Sequence, residues 1–213
     1  MKKALLSLIV LLSISAYIKA QEVESLFNGS DLSGWNFVIE GNTTPANEVF
    51  YVRDGILTIS GKPFGYMYTQ NKYTDFHLLV EWRWPQGKES NSGIFLLIED
   101  PLNPFPKGVE CQLQAGNAGD FVLLAGSDLQ EYKSEPNTPR PKFPVIKKTN
   151  KSSEKPAGKW NTANIYCVNG IVTVYINGVY QNKGTSKVKE GYIGLQSEGD
   201  KIQFRTVTLT PLP

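Results

Sequence analysis

An all-β fold, built as a two-sheet antiparallel sandwich, is what this 213-residue chain predicts. Three observations carry that expectation. Short runs rich in β-branched and aromatic residues recur along the chain. Turn dipeptides punctuate them, and no window sustains a helical period. Many short strands separated by Gly, Pro and Asn turns must bury their apolar faces against another sheet.

Taken in order, residues 1–20 stand apart from the fold. Lys2 and Lys3 precede an apolar run over 4–18, and Ala20 offers a small residue at which to cut. That is the pattern of a secretory signal peptide; Ile18 and Lys19 at the junction let the cut site move. No cysteine follows the run, so the usual attachment point for a bacterial lipid anchor is missing. The expected mature chain is soluble, free of the membrane, and periplasmic or secreted. Cleavage removes Lys2, Lys3 and Lys19, turning 22 basic residues against 20 acidic into 19 against 20. The slight basic excess is a targeting artefact, and a nucleic-acid partner is not expected.

The strand runs cover 55–59, 76–84, 92–98, 109–114, 121–125, 162–168, 171–176, 191–196 and 202–209. Asp54-Gly55, Asn169-Gly170, Asn177-Gly178 and Glu198-Gly199-Asp200 supply turns. Asn169-Gly170, flanked by Tyr166-Cys167-Val168 and Ile171-Val172-Thr173, has the composition of a two-residue hairpin. The stretch 127–159 fits no compact sandwich. It carries five prolines after Glu135 and Lys142, Lys147, Lys148, Lys151, Lys155 and Lys159. It is expected to be a solvated excursion, with a flap over one end of a ligand groove as the functional alternative. With no internal repeat, residues 21–213 read as a single domain. Cys111 and Cys167 face the core by parity and are expected as buried thiols; export would also permit a disulfide.

The strand 109–114 is where chemistry is most legible. Period-two alternation puts Glu110, Gln112 and Gln114 on one face and Val109, Cys111 and Leu113 on the other. A carboxylate among carboxamides suits a hydrogen-bonding ligand such as a sugar. Ordinary glycosidases need two carboxyl groups flanking the bond, and sandwich glucanases place acids two and four residues apart on one strand. Here those positions hold Gln112 and Gln114. Glu198, Glu81 and Asp120 are the acids that could converge on Glu110, though no spacing shows it.

Other residue types narrow the chemistry. His77 is the only histidine, no nucleophile elbow accompanies it, and an ordinary strand role is expected. One His and two scattered Cys exclude a histidine-rich zinc site. The residues name no cofactor, and an oxygen-ligated Ca²⁺ or Mg²⁺ stays open without any loop signature. Arg83 shares parity with His77, Leu79 and Glu81, and either binds the ligand or pairs with a nearby acid. Asn91-Ser92-Gly93 reads as a turn able to reach the groove. Tyr66 and Tyr68, beside Pro63 and Gly65, are the aromatic pair expected to be exposed.

Several stretches together resemble the 3-keto-disaccharide hydrolase family, long known only as a bacterial domain of unknown function. They are Leu26-Phe27-Asn28-Gly29-Ser30-Asp31-Leu32-Ser33-Gly34-Trp35, Glu81-Trp82-Arg83, Asn91-Ser92-Gly93-Ile94-Phe95-Leu96 and Glu110-Cys111-Gln112. Trp160-Asn161-Thr162, Asn177-Gly178, Gly194-Leu195-Gln196 and Phe204-Arg205 complete the ordered set. The resemblance implies a concanavalin A-like jelly roll of the lectin and glucanase type. It also implies cleavage of glycosides already oxidised to a ketone at sugar C3. The chain departs from the family at Leu97, where many members have arginine. It departs again at Gln196-Ser197-Glu198-Gly199, where many have Gln-Asp-His-Gly.

A 3-keto sugar lowers the chemical requirement. The ketone acidifies the C2 proton, so one base can remove it and the C1 leaving group departs by β-elimination, after which water adds. Glu110 is the expected catalytic base. Gln112, Asn91 and Arg83, or a divalent cation, are the expected stabilisers of the enolate oxygen; Gln196 and Glu198 stand where the family has polar site residues. The expected protein is an exported hydrolase or lyase acting on a carbohydrate ligand. A non-catalytic carbohydrate-binding module and an ordinary two-carboxylate glycoside hydrolase are the alternatives. Oligomeric state is not written in the sequence.

Overall fold

The computed structural model describes residues 22–213 apart from Thr43, Gln86 and Lys88, and the expected signal peptide lies outside them. The strands are β1 (Glu24–Ser25), β2 (Trp35–Ile39), β3 (Phe50–Arg53), β4 (Ile56–Ile59), β5 (Gly65–Thr69), β6 (Phe76–Arg83), β7 (Gly93–Ile98) and β8 (Gly108–Gln112). They continue as β9 (Phe121–Leu124), β10 (Val145–Ile146), β11 (Asn161–Val168), β12 (Ile171–Ile176), β13 (Val179–Thr185), β14 (Tyr192–Ser197) and β15 (Ile202–Pro211). One helical turn, α1 (Ala46–Val49), and a 3₁₀ turn at Glu40–Asn42 complete the described elements.

Two antiparallel sheets face each other. The first runs β13-β12-β11-β6-β15-β4-β3 with β1 added on β15; the second runs β10-β9-β8-β7-β14-β5-β2. Every strand run expected from the sequence forms a strand, with ends moved by one or two residues. The hairpin turns form as their composition demands. Asn169 and Gly170 have φ of 51° and 79°, and Asn177 and Gly178 have 50° and 80°. Positive φ at both central residues matches the twist of the flanking strands, and Asn-Gly tolerates it best.

Alternation decides what each sheet buries. In β6, Phe76, Leu78, Val80 and Trp82 point between the sheets while His77, Leu79, Glu81 and Arg83 point outward. In β8, Val109 and Cys111 enter the same core, followed by Leu113 just beyond the strand. Cys111 and Cys167 are buried free thiols on strands of different sheets, which corresponds to the thiol expectation.

The outer face of the second sheet buries a smaller cluster of its own. Tyr66, Phe95, Ile98, Val122 and Leu124 are covered by Tyr68, Phe105, Phe143 and Tyr192. Tyr66 is fully buried there, which corrects the expectation of an exposed Tyr66–Tyr68 pair. Its ring packs edge-on against Phe95, with centroids 5.3 Å apart. The neighbouring Pro63 and Gly65 carried the expectation of exposure, but Gly65 opens strand β5.

The 127–159 stretch is solvated over 130–142, where only Tyr132 is partly covered, and fastened on either side. Leu129 joins the main core, Val145 and Ile146 add a strand to β9, and the Ser153 hydroxyl donates to the Ile176 carbonyl at 2.6 Å. Phe143 reaches the outer cluster of the second sheet. The segment is therefore a brace along one sheet edge.

Candidate active site

Glu110 projects from β8 onto the outer face of the second sheet, beside Phe95 of β7 and Val122 of β9. It is only 3 % exposed. Room for the carboxyl comes from Gly93 on the neighbouring strand. A Cβ there would stand 2.7 Å from both Cγ and Cδ of Glu110, so the glutamate leans over a residue without a side chain. Glycine in a strand usually marks such a close approach. The expected turn at Asn91-Ser92-Gly93 is thus partly strand, and Gly93 is the floor of the site.

Gln196 enters from the other side of that floor. The register pairs Leu195 of β14 with Ile94 of β7, placing Gln196 next to Gly93 on the same face as Glu110. The Ser92 hydroxyl donates to the Gln196 carbonyl at 2.8 Å and locks the two strands there. The side-chain Nε2 of Gln196 donates to the Glu198 carboxylate at 2.6 Å. Asn91 also faces Glu198 and favours its ionised form. The loop after β14 is tied to the segment before β7, since the Asp200 amide donates to the Ser90 hydroxyl at 3.0 Å.

Glu198 is the second acid that sequence spacing could not reveal. It lies within electrostatic reach of Glu110 although 88 positions away along the chain. Burial pushes the Glu110 carboxyl well above the usual carboxylate range, and the charge of Glu198 pushes it further. Burial raises Glu198 as well, with Asn91 and then Gln196 pulling it back. The Oε1 of Glu110, the Oδ1 of Asn91 and the Oε1 of Gln196 are all buried without a hydrogen-bond partner among the described residues. Such orphaned acceptors are uncommon in a folded interior and point to a ligand-binding place.

The remaining expected residues divide. Gln112 shares the face but turns its Oε1 back onto the amides of Leu113 and Gln114, both at 2.9 Å, leaving only its NH₂ for a ligand. Arg83 does not join the site. It stands on the outer face of the other sheet, donates to the Gln203 carboxamide at 2.8 Å and lies 4.5 Å over the Trp160 ring. The reason is parity: Trp82 and Trp84 are buried, so Arg83 must point outward. Glu81 is on that far face too, held by Arg205 at 2.6 Å. Asp120, beside Gln112, is occupied by the Lys147 ammonium at 3.0 Å and the Lys148 amide at 2.9 Å.

His77 stacks on Tyr166 and meets the Asn164 carboxamide at 2.9 Å on the far face, an ordinary strand role. Among the described residues no group of three or more His, Cys, Asp or Glu side chains gathers to hold a metal. Cavities of about 330 Å³ beside Leu97 and Ser127, and about 570 Å³ beside Tyr166 and Tyr175, are lined by none of these site residues.

This ordered face can be compared with known proteins. Residues 22–210 match the family described as 3-keto-alpha-glucoside-1,2-lyase-like domain. The chain belongs to that family. A curated relative from Bacteroides thetaiotaomicron, 3-keto-disaccharide hydrolase, is 24 % identical over 95 % of this chain and 87 % of its own length. A Parabacteroides distasonis protein with a provisional glycosyl hydrolase name superposes with a TM-score of 0.64 at 20 % identity, covering 90 % of this chain and 94 % of that one. The Bacillus licheniformis β-glucanase gives 0.59 at 11 % identity, with 92 % and 100 % covered. Module CBM66 of Bacillus subtilis gives 0.58 at 11 %, with 83 % and 95 % covered. The fold is accordingly a concanavalin-like jelly roll, and this member of the 3-keto-alpha-glucoside-1,2-lyase-like family is a glycosyl hydrolase-like, carbohydrate-active protein.

Proposed function

We propose that this chain is an exported enzyme that cleaves 3-keto-glycosides by β-elimination of the aglycone followed by addition of water. The observation that carries the reading is a buried carboxyl, Glu110, whose Oε1 has no hydrogen-bond partner among the described residues and which is placed over Gly93 beside Glu198 and two site amides. Elimination next to a ketone needs proton transfer at C2 and at the leaving oxygen, and both acids are at hand. The NH₂ of Gln112 is a donor available for the enolate oxygen. The aromatic cluster beyond Phe95 and Val122 supplies apolar surface next to Glu110. Since Glu110 is almost wholly covered, a sugar reaches it only after neighbouring side chains move. Lys2, Lys3 and the apolar run over 4–18 support export.

The test is product analysis with one glucoside presented both native and 3-oxidised. Release of aglycone from the oxidised form alone is the expected result. Glu198 beside Glu110 also favours a second reading, ordinary two-carboxylate hydrolysis. That reading requires turnover of the native glucoside. A non-catalytic binding module, the third possibility on this fold, requires saturable glycan binding with neither substrate consumed.

A further inference from the structure

Resting on that reading, the hydrogen bonds around the two carboxyls assign them separate roles. Burial raises the Glu198 carboxyl, but it accepts the Gln196 NH₂ at 2.6 Å and faces Asn91, two partners that favour its ionised form. Glu110 has the opposite surroundings. It is more deeply buried, its Oε1 meets no donor, and the apolar side chains of Phe95 and Val122 flank it. A carboxyl in such a place rests as the neutral acid, holding a proton it can give away.

We propose that Glu198 is the base that removes the C2 proton and that Glu110 is the acid that protonates the departing glycosidic oxygen. This reverses the role expected for Glu110 from the sequence. A buried carboxyl with fewer donors than its neighbour is the poorer resting base and the better resting acid.

The electron count closes. Glu198 takes the C2 proton, and the pair of that C–H bond enters the enolate spanning C2, C3 and the ketone oxygen. As the enolate collapses, C1=C2 forms and the C1–O bond breaks with its electrons on the leaving oxygen. That oxygen takes the Glu110 proton and departs as an alcohol. Glu198 is then protonated and Glu110 ionised. In the hydration step Glu110 deprotonates the water that attacks C1, the β-carbon of the unsaturated ketone, and Glu198 returns its proton to C2. Both residues end as they began, and no oxidant or reductant is consumed.

Leaving-group dependence separates the roles. The substrates are the 3-keto derivatives of methyl glucoside, whose leaving group needs protonation, and of 4-nitrophenyl glucoside, whose leaving group does not. Glu110→Gln is expected to slow the methyl substrate by about 10²- to 10⁴-fold, the usual scale of one acid–base residue. Its loss on the nitrophenyl substrate is expected to stay within about tenfold, because that aglycone needs no general acid. Glu198→Gln is expected to slow both substrates alike. In D₂O, Glu110→Gln still exchanges the C2 hydrogen of the methyl substrate and Glu198→Gln does not. The reversed pattern, with Glu198→Gln rescued by nitrophenol and Glu110→Gln losing exchange, overturns the assignment and restores Glu110 as base. Failure of the 3-keto reading looks different: wild-type protein then consumes neither oxidised substrate. Glu110→Asp and Glu198→Asp, with circular dichroism of all four variants, keep misfolding from passing as lost chemistry.

Discussion

Replacing Glu110 by glutamine should change how stability depends on pH, independently of any substrate. The folded protein holds the Glu110 carboxyl far above its ordinary value of 4.5, chiefly through burial and then through the charge of Glu198. In the unfolded chain that side chain returns to about 4.5. Between those two values the native state holds a proton that the unfolded state has lost. Stability from this group is complete below about 4.5 and falls as pH rises toward the folded value, by about 1.4 kcal/mol per pH unit. Above the folded value the loss levels off. Glutamine has no proton to hold, and every other carboxyl is common to the two proteins. Urea unfolding at steps upward from pH 4.5 should therefore show the variant gaining on the wild type until the folded value is passed. For a domain of this size the gain is about 3–6 °C in melting temperature per unit. Parallel stability curves would refute the buried, unpartnered placement of Glu110, and so would a gap that opens on acidification.

Gly93→Ala should place a methyl group against the Glu110 carboxyl and displace it, lowering turnover of the 3-keto substrate at least tenfold while circular dichroism stays unchanged, by the scale at which misplaced groups cost rate. Asp120→Ala removes the partner of Lys147 and of the Lys148 amide. It should cost about 1–3 kcal/mol, the range for a hydrogen bond to a charged group, and quicken proteolysis within 127–159 relative to wild type. Glu81 is held below its ordinary value mainly by Arg205. Its contribution is present above the unfolded carboxylate value and lost as pH falls through the folded one. Because the pair is partly exposed, Glu81→Gln should cost at most about 1 kcal/mol at pH 7 and nothing near pH 2. Burial raises both cysteine thiols, Cys167 to about 11. A thiol reagent at pH 7 should label neither in the folded chain and both in denaturant.

The fold was legible wherever alternation or a turn dipeptide was unambiguous. The strand at Phe76 alternates over eight residues, and the Asn-Gly hairpins declared themselves through the positive φ they tolerate. Strands β1, β2, β3, β5, β10 and β13 were not recognised. Gly65-Tyr66-Met67-Tyr68-Thr69 is buried at Tyr66 on one face and Met67 on the other, so period-two contrast vanishes. In β13, Gln181 and Asn182 are both buried polar residues beside a register shift. Within the site, Glu110, Gln112, Asn91, Gln196 and Glu198 were named from sequence and share one face. Arg83 was named too, yet its strand parity already pointed away from Trp82 and the core, and only the pairing of sheets shows that outward there means the opposite side of the molecule. Gly93 is the converse case. Its role is to be small beneath a neighbour's carboxyl, and no pattern along a single strand encodes that.

Carboxamides at Gln112 and Gln114 first argued against a two-acid hydrolase, because the second acid was sought on the same strand. The sheet order removes the force of that point: β8, β7 and β14 lie side by side, and the loop after β14 brings Glu198 to the face that bears Glu110. Counting acids therefore no longer separates ordinary hydrolysis from elimination. What separates them is the inequality between the acids. A retaining glycosidase needs one carboxylate ionised as a nucleophile facing C1 and one protonated carboxyl beside the leaving oxygen. Elimination needs the ionised group at C2 instead. The acid here with partners for its ionised form, Glu198, is already engaged by the Gln196 amide and faced by Asn91. Those contacts suit a group that borrows and returns a proton better than one that must form a bond to carbon. A covalent glycosyl adduct on Glu198, trapped with a 2-deoxy-2-fluoro glucoside and located by mass spectrometry, would contradict that argument; its absence, with C2 exchange retained on the 3-keto substrate, is the expected result.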